Sequence, residues 1–159
     1  MMDPLRLRDA NPGDAGTIHD FICALALYER EPDAVETTPE ALAQQLASEQ
    51  PPFECVLAEL GGQAVGFALF FYNYSTWKGR RGLYLEDLFV LPEFRGRGVG
   101  KALFLHVGKL AKQRGCARYE WAALDWNTPA IAFYKRFGAE PLSEWTTFRL
   151  SGAALESLA

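Results

Sequence analysis

Alternating apolar and polar positions divide most of this chain into strands and helices. Six segments show the two-residue period or the short apolar run that is typical of strands: Leu5–Arg8, Glu54–Leu60, Ala64–Tyr72, Leu83–Leu91, Arg118–Leu124 and Trp145–Leu150. The second and third are joined at Gly61-Gly62, a pair that predicts a hairpin turn. Leu83–Leu91 is mainly apolar on both alternating faces, which predicts a central strand with Glu86 and Asp87 on opposite faces.

Four further segments carry apolar residues at helical spacing and begin or end at capping residues. They run from near Asp14 to about Arg30, from Thr38-Pro39 to before Pro51, from near Gly98 to about Arg114, and from Asn127 to Phe137. The resulting order β-α-α-β-β-β-α-β-α-β predicts a mixed α/β fold. No linker interrupts this order, so a single domain spanning residues 1–159 is expected. The polar stretch 73–82 is predicted to be a flexible loop at the substrate entrance.

Composition narrows the classes of function. The chain has 16 basic and 20 acidic residues and a net charge of −4, so nonspecific nucleic-acid binding is not expected, whereas a small cationic substrate is permitted. Three widely spaced cysteines suggest neither a disulfide framework nor a metal site. No apolar run approaches the ~20 residues of a membrane helix, and the N-terminus lacks a signal-peptide core. A cytoplasmic protein without metal, nucleic-acid or membrane partners is therefore expected.

A glycine-rich run follows the predicted central strand and opens the third helix. Its members are Arg95, Gly96, Arg97, Gly98, Val99, Gly100 and Lys101. Unpaired N–H groups and the positive end of the helix dipole meet there, and three cations add charge, so an anion is expected to bind. A Walker A loop is excluded because Ala102 follows Lys101. A dinucleotide fingerprint is excluded because Lys101 takes the third glycine position.

The remaining pattern, Arg-Gly-x-Gly-x-Gly, resembles the acetyl-CoA loop of the GNAT N-acetyltransferases. Other segments resemble the diamine (spermidine/spermine) N1-acetyltransferase branch of that family, and within it the thialysine N-ε-acetyltransferase subgroup. These segments are 74–80, 83–90, 123–127 and 133–135. The likeness covers residues 5–150 and implies the GNAT fold. In that fold a mixed central sheet is splayed between its fourth and fifth strands, with helices on both faces.

The same resemblance implies an acetyl-CoA-dependent N-acetyltransferase. The pantetheine arm would pair with the backbone of Leu88, Phe89 and Val90, and the pyrophosphate would lie on the glycine-rich run. Four residues would line the far side of acetyl-CoA: Asn127, Thr128, Pro129 and Ala130. The family is commonly homodimeric, so a homodimer is expected. The expected acceptor is a primary amine of a small cation, such as thialysine or another lysine analogue, a diamine or a polyamine.

Acetyl transfer needs an unprotonated amine and a proton for the leaving thiolate. Glu86, on a mainly apolar strand, is the candidate that binds the ammonium and relays its proton. A buried ion pair with an arginine, such as Arg118, is the alternative. Asp87 is assigned a structural role, with support of the Glu86 site as its alternative. The resemblance implies Tyr134 as the general acid, and a tyrosine with a pKa of about 10 holds the proton that an acid must donate.

The resemblance also implies two substrate contacts, Tyr28 and Glu29, with a solvated charge at the helix end as the alternative for Glu29. Ser75 and Trp77, on the polar loop, are expected to wall the amine pocket. The sequence departs from the diamine enzymes at one position. Those enzymes carry an acidic substrate-contacting residue after their last helix, where this chain has Thr146, or Glu144 if the alignment shifts by one residue. The loss of that acidic residue would favour shorter amines over long polyamines. A covalent cysteine route is disfavoured because no histidine partner is evident. A function from another class stays open, namely a catalytically silent acetyl-CoA-binding sensor or interaction module. Retention of Glu86 and Tyr134 argues against it.

Overall fold

The computed structural model describes residues 3–159, and its contacts divide the chain into two compact units that meet at the Ala122–Ala123 bond. Within residues 3–122 the strands are β1 Leu5–Asp9, β2 Glu54–Leu60, β3 Gln63–Ser75, β4 Arg80–Val90 and β5 Tyr119–Glu120. The α-helices there are α1 Ala15–Tyr28, α2 Pro39–Ala47 and α3 Val99–Gln113. Short 3-10 helices cover Pro12–Asp14, Pro32–Ala34 and Pro92–Phe94. Residues 123–159 contain α4 Thr128–Lys135 and α5 Gly152–Glu156.

The strands of the first unit form one mixed sheet in the order β1-β2-β3-β4-β5. All neighbours are antiparallel except β4 and β5, which are parallel. The predicted hairpin joins β2 to β3, and Gly61 and Gly62 both take positive φ there, at 58° and 78°. The mixed α/β sheet predicted from the sequence is confirmed.

Helices cover both faces of this sheet. On one face, Ile18 and Phe21 of α1 and Leu42 of α2 are buried against alternate residues of β2 and β3, such as Leu57 and Phe67. On the other face, α3 buries one stripe: Val99, Leu103, Phe104, Val107 and Ala111. Burial of each large aliphatic or aromatic side chain contributes about 1.5–3 kcal/mol, so these two layers hold the unit together. None of the helices within residues 3–159 is long and apolar enough to cross a bilayer.

A β-bulge in β4 changes which of its side chains share a face. Leu69 pairs with Asp87 and Phe70 with Leu85, so Glu86 is the extra residue of β4. Residues directly opposite one another lie on the same face. The face toward α3 therefore carries four β4 residues: Leu83, Leu85, Leu88 and Val90. The face toward α1 carries three: Tyr84, Asp87 and Phe89. The predicted uninterrupted alternation, which put Asp87 on the face of Leu85, is wrong because the bulge shifts the period by one residue.

The polar stretch 73–82 is mostly strand, so its predicted loop is wrong. Asn73 pairs with Gly82 and Ser75 with Arg80, and only residues 76–79 form the turn. These ends of β3 and β4, here called the β3–β4 ribbon, extend past the part of β3 that pairs with β2. Polar side chains there can face solvent while the hydrogen bonds between the two strands stay complete. Polarity alone therefore concealed the strand.

Two other predicted strands are also corrected. Arg118–Leu124 contributes only the two residues of β5, because it pairs with β4 only at Leu83 and Tyr84. The segment predicted as a strand at Trp145–Leu150 forms none, and residues 123–159 contain no strand. An alternating pattern becomes a strand only where a neighbouring strand completes its hydrogen bonds. The fourth predicted helix, Asn127–Phe137, is shorter at both ends, and α5 was not predicted.

Candidate active site

An unpaired stretch of β4 lies where the sheet opens. β5 pairs with β4 only at Leu83 and Tyr84. Over residues 85–90, the same edge of β4 meets no other strand within residues 3–122. Backbone groups on this edge can bind an extended ligand as a further strand would. The three predicted pantetheine contacts lie in this stretch: Leu88, Phe89 and Val90.

The glycine-rich run forms the turn between β4 and α3. Gly96 and Gly98 have φ values of 78° and 79°, a conformation that L side chains rarely adopt, and a Cβ at either would meet no atom within 4 Å. Gly98 is the N-cap of α3, and Ala102 donates its N–H to the Gly98 carbonyl at 3.0 Å. The N–H groups of residues 99–101 precede this bond and have no acceptor within the helix. This open helix start fits an anion such as a pyrophosphate.

Arg95 turns back from the loop onto the sheet. Its Nε donates a hydrogen bond to the Val90 carbonyl at 3.0 Å. Its guanidinium carbon lies 5.2 Å from the ring centre of Tyr28 and 5.4 Å from that of Phe89. These distances are within the range of cation–π contacts. Arg95 thus connects the loop to the end of β4 and to the last residue of α1.

The other two cations of the run stay within the loop and the helix start. The Arg97 guanidinium lies over the Phe94 ring at 5.2 Å, and Arg97 is exposed. Lys101 is exposed in the first turn of α3. Both cations therefore leave their charge accessible to a bound anion.

Glu86, the bulged residue of β4, is exposed. The alternative prediction of a buried ion pair with Arg118 is wrong, because Arg118 Nε lies 3.7 Å from a carboxylate oxygen of Glu120 instead. A bulge removes its extra residue from the regular ladder, which explains how an apolar central strand carries an accessible carboxylate. Glu86 lies within the unpaired stretch of β4.

Three carboxyl groups interact at this bulge: Glu29, Glu86 and Asp87, here called the acidic group. Burial, together with the charges of Glu86 and Glu29, raises the pKa of Asp87 to about 7. Burial and the charge of Glu86 also raise the pKa of Glu29. None of the ion pairs formed within residues 3–122 involves the acidic group. The group is therefore a local excess of negative charge that a bound cation would relieve.

The acidic group does not have the geometry of a metal site. Within residues 3–159, no three His, Cys, Asp or Glu side chains are arranged to hold a metal ion. Sequence reasoning had assigned Glu29 and Glu86 separately and treated Asp87 as structural. Their proximity was concealed because Glu29 is distant in sequence and because the bulge, which turns Asp87 toward α1, has no sequence signature here.

The helix α1 ends beside this acidic group. Glu29 is its C-cap, Arg30 takes a left-handed φ of 66°, and Glu31 donates its N–H to the Ala26 carbonyl at 2.9 Å. This is the Schellman closing pattern, in which glycine is usual at the position that Arg30 takes. The predicted end of the helix near Tyr28 is confirmed. The chain turns sharply after Tyr28 and Glu29, so both predicted substrate residues stand at the helix terminus.

The other two predicted substrate contacts lie on the β3–β4 ribbon. Ser75 is buried, and its Oγ accepts a hydrogen bond from the Lys78 N–H at 3.1 Å, so it holds the turn. Trp77 is 84% exposed at the tip. Glu86 lies about 20 Å along β4 from Arg80, the cross-strand partner of Ser75, at about 3.3 Å per residue. Within one chain, the ribbon tip is therefore not next to the acidic group.

Tyr134 is half-buried in α4, in the second unit. Its ring packs edge-on against that of Phe133, with ring centres 5.3 Å apart. The side-chain oxygen of Asn127 caps this helix by accepting the Ala130 N–H at 3.4 Å. The four predicted acetyl-CoA contacts of this segment form the cap and first turn of α4: Asn127, Thr128, Pro129 and Ala130.

Cys23 has a histidine neighbour that the sequence analysis missed. Its Sγ lies 3.8 Å from Nδ1 and 3.9 Å from Nε2 of His19, one turn earlier in α1. The spacing of four residues was the available signal. His19 Nε2 also lies 3.0 Å from the Thr37 carbonyl oxygen. The near-equal sulfur distances place the thiol beside the ring rather than in line with one nitrogen, which does not suit proton transfer.

Comparison with known proteins identifies the family. The model of the acetyltransferase (GNAT) family matches residues 19–139. The chain belongs to the GNAT family. A thialysine N-ε-acetyltransferase of Sus scrofa is 40% identical over 169 aligned residues, which cover 99% of each chain. An integron cassette protein of V. cholerae superposes with a TM-score of 0.79 at 26% identity, covering 96% of this chain and 95% of that one.

A solved structure of lower identity shares the fold. It is an aminoglycoside N-acetyltransferase in complex with CoA, with a TM-score of 0.73 and 23% identity, covering 93% of this chain and 95% of that one. These comparisons confirm the predicted GNAT fold and an acetyl-transferring enzyme. GNAT acetyltransferases use acetyl-CoA, and the open glycine turn and the unpaired edge of β4 described above are compatible with that donor.

Proposed function

We propose that this single-domain GNAT enzyme transfers the acetyl group of acetyl-CoA to a primary amine of a small cation, by direct attack in a ternary complex. The observation that carries this proposal is the position of the acidic group within and beside the unpaired stretch of β4. Negative charge thereby adjoins the edge where the pantetheine arm is expected. The 40% identical thialysine N-ε-acetyltransferase supports an amine acceptor of this kind.

Acetyl-CoA would be held by three backbone features. Residues 96–101 would bind its pyrophosphate, residues 88–90 would pair with its pantetheine arm, and residues 127–130 would line its far side. Two observations support this fit: the glycines at positive φ leave open space, and the first N–H groups of α3 lack acceptors in the helix. Bound acetyl-CoA supplies an activated thioester, so the enzyme's own work is positioning and proton handling.

The acidic group would bind and deprotonate the amine. A lysine-like amine has a pKa of about 10.4, so presenting it as the free base at pH 7 costs about 4.6 kcal/mol. Glu86, which is exposed at the bulge, would hold the ammonium and accept its proton, directly or through water. Glu29, at the end of α1, would hold a second cationic group of the substrate.

Tyr134 would donate the proton that the leaving thiolate needs. Its hydroxyl is neutral at pH 7 at the ordinary tyrosine pKa of about 10, as a general acid requires. Tyr134 lies about two turns after Asn127, the cap of α4, whose first turn is assigned to acetyl-CoA, and this position supports the role.

A homodimer is part of the proposal. Two observations support a second copy. The ribbon tip with Trp77 lies far from the acidic group of its own chain, and segment 145–150, which is in no strand within residues 3–159, exposes Trp145 and Phe148. The mass of the protein in solution, measured by light scattering, tests it. A monomeric mass at micromolar concentration would contradict the dimer.

The order of chemical steps is tested by initial rates with both substrates varied. Direct attack gives intersecting double-reciprocal lines, whereas a covalent acetyl-enzyme gives parallel lines. Cys23→Ser should leave the rates unchanged, which controls for the His19 neighbour. Glu86→Gln should lower kcat/KM about 100-fold or more, whereas the exposed Glu93→Gln, outside the site, should not.

The substrate class is tested by kcat/KM over thialysine, lysine, short diamines and spermidine. A site with two carboxylate positions, Glu29 and Glu86, favours substrates with two cationic groups. Shorter amines are expected to be preferred over spermidine if Thr146, rather than its rival Glu144, stands at the position of the acidic residue of the diamine enzymes. A preference for monoamines, which carry only one cationic group, would contradict the assignment of Glu29.

A further inference from the structure

We propose that Arg95 is a positioning residue for the amine site rather than a ligand of the acetyl-CoA phosphates. This inference rests on the proposed function, because it assigns a role within the same site. Arg95 begins the glycine-rich run, and its sequence position alone would place it with the phosphate-binding cations. Its contacts point elsewhere: the two rings it lies over are those of Tyr28 and Phe89, and Phe89 shares the α1 face of β4 with Asp87.

The first contact fixes the guanidinium to the sheet. Arg95 Nε donates to the Val90 carbonyl at 3.0 Å, at the last residue of β4. The donor is the Nε–H itself, which only arginine supplies. A lysine at this position would keep the charge but has neither this donor nor a planar group.

The contacts of the guanidinium with two aromatic rings link Arg95 to α1. Its central carbon lies 5.2 Å from the ring centre of Tyr28 and 5.4 Å from that of Phe89. Phe89 is buried, and its ring centre is 6.3 Å from that of Phe21 in α1. Phe89 is therefore a fixed support, and Tyr28, at the helix terminus, is the more exposed of the two partners.

The consequence concerns Glu29, which follows Tyr28 directly. Burial and the charge of Glu86 raise the pKa of Glu29, so Glu29 belongs to the acidic group. Arg30, the next residue, is held in a left-handed conformation that is unfavourable for a residue with a side chain. A helix end with this strain gains from an external support, and the stack of Arg95 on Tyr28 provides one. Arg95 thereby sets the distance between Glu29 on α1 and Glu86 on β4.

The two roles predict opposite behaviour for Arg95→Lys. A phosphate ligand is largely replaced by lysine, since both are cations. A positioning residue is not, because lysine loses the Val90 hydrogen bond and the planar stack. We expect Arg95→Lys and Arg95→Gln alike to raise the KM for the amine about tenfold, the combined effect of one hydrogen bond and one cation–π contact, with a smaller change in kcat.

The choice of acetyl donor separates the amine effect from a phosphate effect. S-acetylpantetheine lacks the phosphates of acetyl-CoA, so a lost phosphate contact has no consequence with this donor. The change in amine KM for Arg95→Lys should be the same with both donors. Arg97→Gln is the comparison variant, and it should raise the KM of acetyl-CoA but not that of S-acetylpantetheine.

A measurement on the unreacted protein gives a second readout. The ¹⁵N–¹H signal of Arg95 Nε, assigned through Arg95→Lys, should respond to CoA no more than it responds to pantetheine, which lacks the phosphates. The Arg97 signal should move. The double variant Arg95→Lys with Tyr28→Leu should raise the amine KM no more than the larger of the two single changes. Both substitutions remove the same contact, that of the Arg95 guanidinium with the Tyr28 ring.

Distinct outcomes separate failure of this inference from failure of the proposed function. The inference is overturned if Arg95→Lys matches the wild type with every amine, or if the Arg95→Gln defect vanishes with S-acetylpantetheine. It is also overturned if CoA moves the Arg95 Nε signal further than pantetheine does. Absence of acetyl transfer to any amine by the wild-type enzyme, with CoA still bound, would instead contradict the proposed function.

Discussion

Replacing Asp87 by asparagine is expected to stabilise the protein, and increasingly so as the pH rises. Burial and the charges of Glu86 and Glu29 raise the pKa of Asp87 from its ordinary value of 3.8 to about 7. The folded protein therefore keeps this proton up to about pH 7, while the unfolded chain releases it above 3.8. Between these values the unfolded state binds fewer protons, so the contribution of Asp87 to stability falls as the pH rises.

The size of the effect follows from the same two values. Each tenfold change in proton affinity corresponds to about 1.4 kcal/mol, so the full loss above pH 7 is about 4 kcal/mol. At pH 5 the loss of stability is only about 2 kcal/mol. Asparagine cannot ionise, so Asp87→Asn should gain about 4 kcal/mol over the wild type at pH 8 and about 2 kcal/mol at pH 5. The amide's own burial will reduce both gains equally.

Urea unfolding at pH 5, 6, 7 and 8 measures this difference. The matched control is Glu93→Gln, which removes an exposed carboxylate just beyond β4, and its curve should run parallel to that of the wild type. A gain for Asp87→Asn that is equal at pH 5 and pH 8 would refute the reasoning. The result would mean that Asp87 is neither desolvated nor repelled by the acidic group. A stabilised variant with reduced activity would show that this carboxylate is retained for function.

Three further predictions concern the glycine turn, an ion-pair cluster and the proposed acid. Gly98→Ala should cost about 1 kcal/mol in urea unfolding because of its φ of 79°, whereas Gly100→Ala, in the first turn of α3, should not destabilise. Arg8→Met should cost about 2 kcal/mol at pH 7, and less in acid, because Arg8 lowers the pKa of Asp14 and that stabilisation is lost as the pH falls. Tyr134→Phe should retain CoA binding by calorimetry and lower turnover at least ~100-fold.

Each of these has an opposite outcome. Equal unfolding curves for Gly98→Ala and the wild type would mean that the left-handed turn is not strained. An Arg8→Met cost that does not change with pH would exclude the ion pair with Asp14 as its source. An unchanged turnover for Tyr134→Phe would remove this tyrosine from the mechanism.

The sequence was most informative where a signal was local. Helix starts at Thr38 and near Gly98, and the hairpin at Gly61-Gly62, follow from caps and turn residues whose effect spans a few positions. Thr38 Oγ1, for example, accepts the Ala41 N–H at 3.1 Å, as an N-cap does. The resemblance of the glycine-rich run then gave the fold, because that run combines a turn, a helix start and an anion site.

The sequence was least informative where a neighbour decides the outcome. Residues 145–150 have the alternation of a strand, but they would form a strand only beside a pairing partner. The bulge at Glu86 depends on the pairing of β3 with β4, so the faces of Asp87 and Phe89 could not be assigned by counting. The contact of Arg95 with Tyr28 joins residues 67 positions apart in the chain, and no local pattern encodes it.

Release of free CoA from acetyl-CoA in the presence of single amines tests the central claim most directly. The account predicts saturable, amine-dependent release, with one acetyl group added to the amine by mass spectrometry, and faster release for small dications than for monoamines that carry a single positive charge. Binding of CoA in calorimetry, with release no faster than in the absence of amine for every member of the panel, would contradict it.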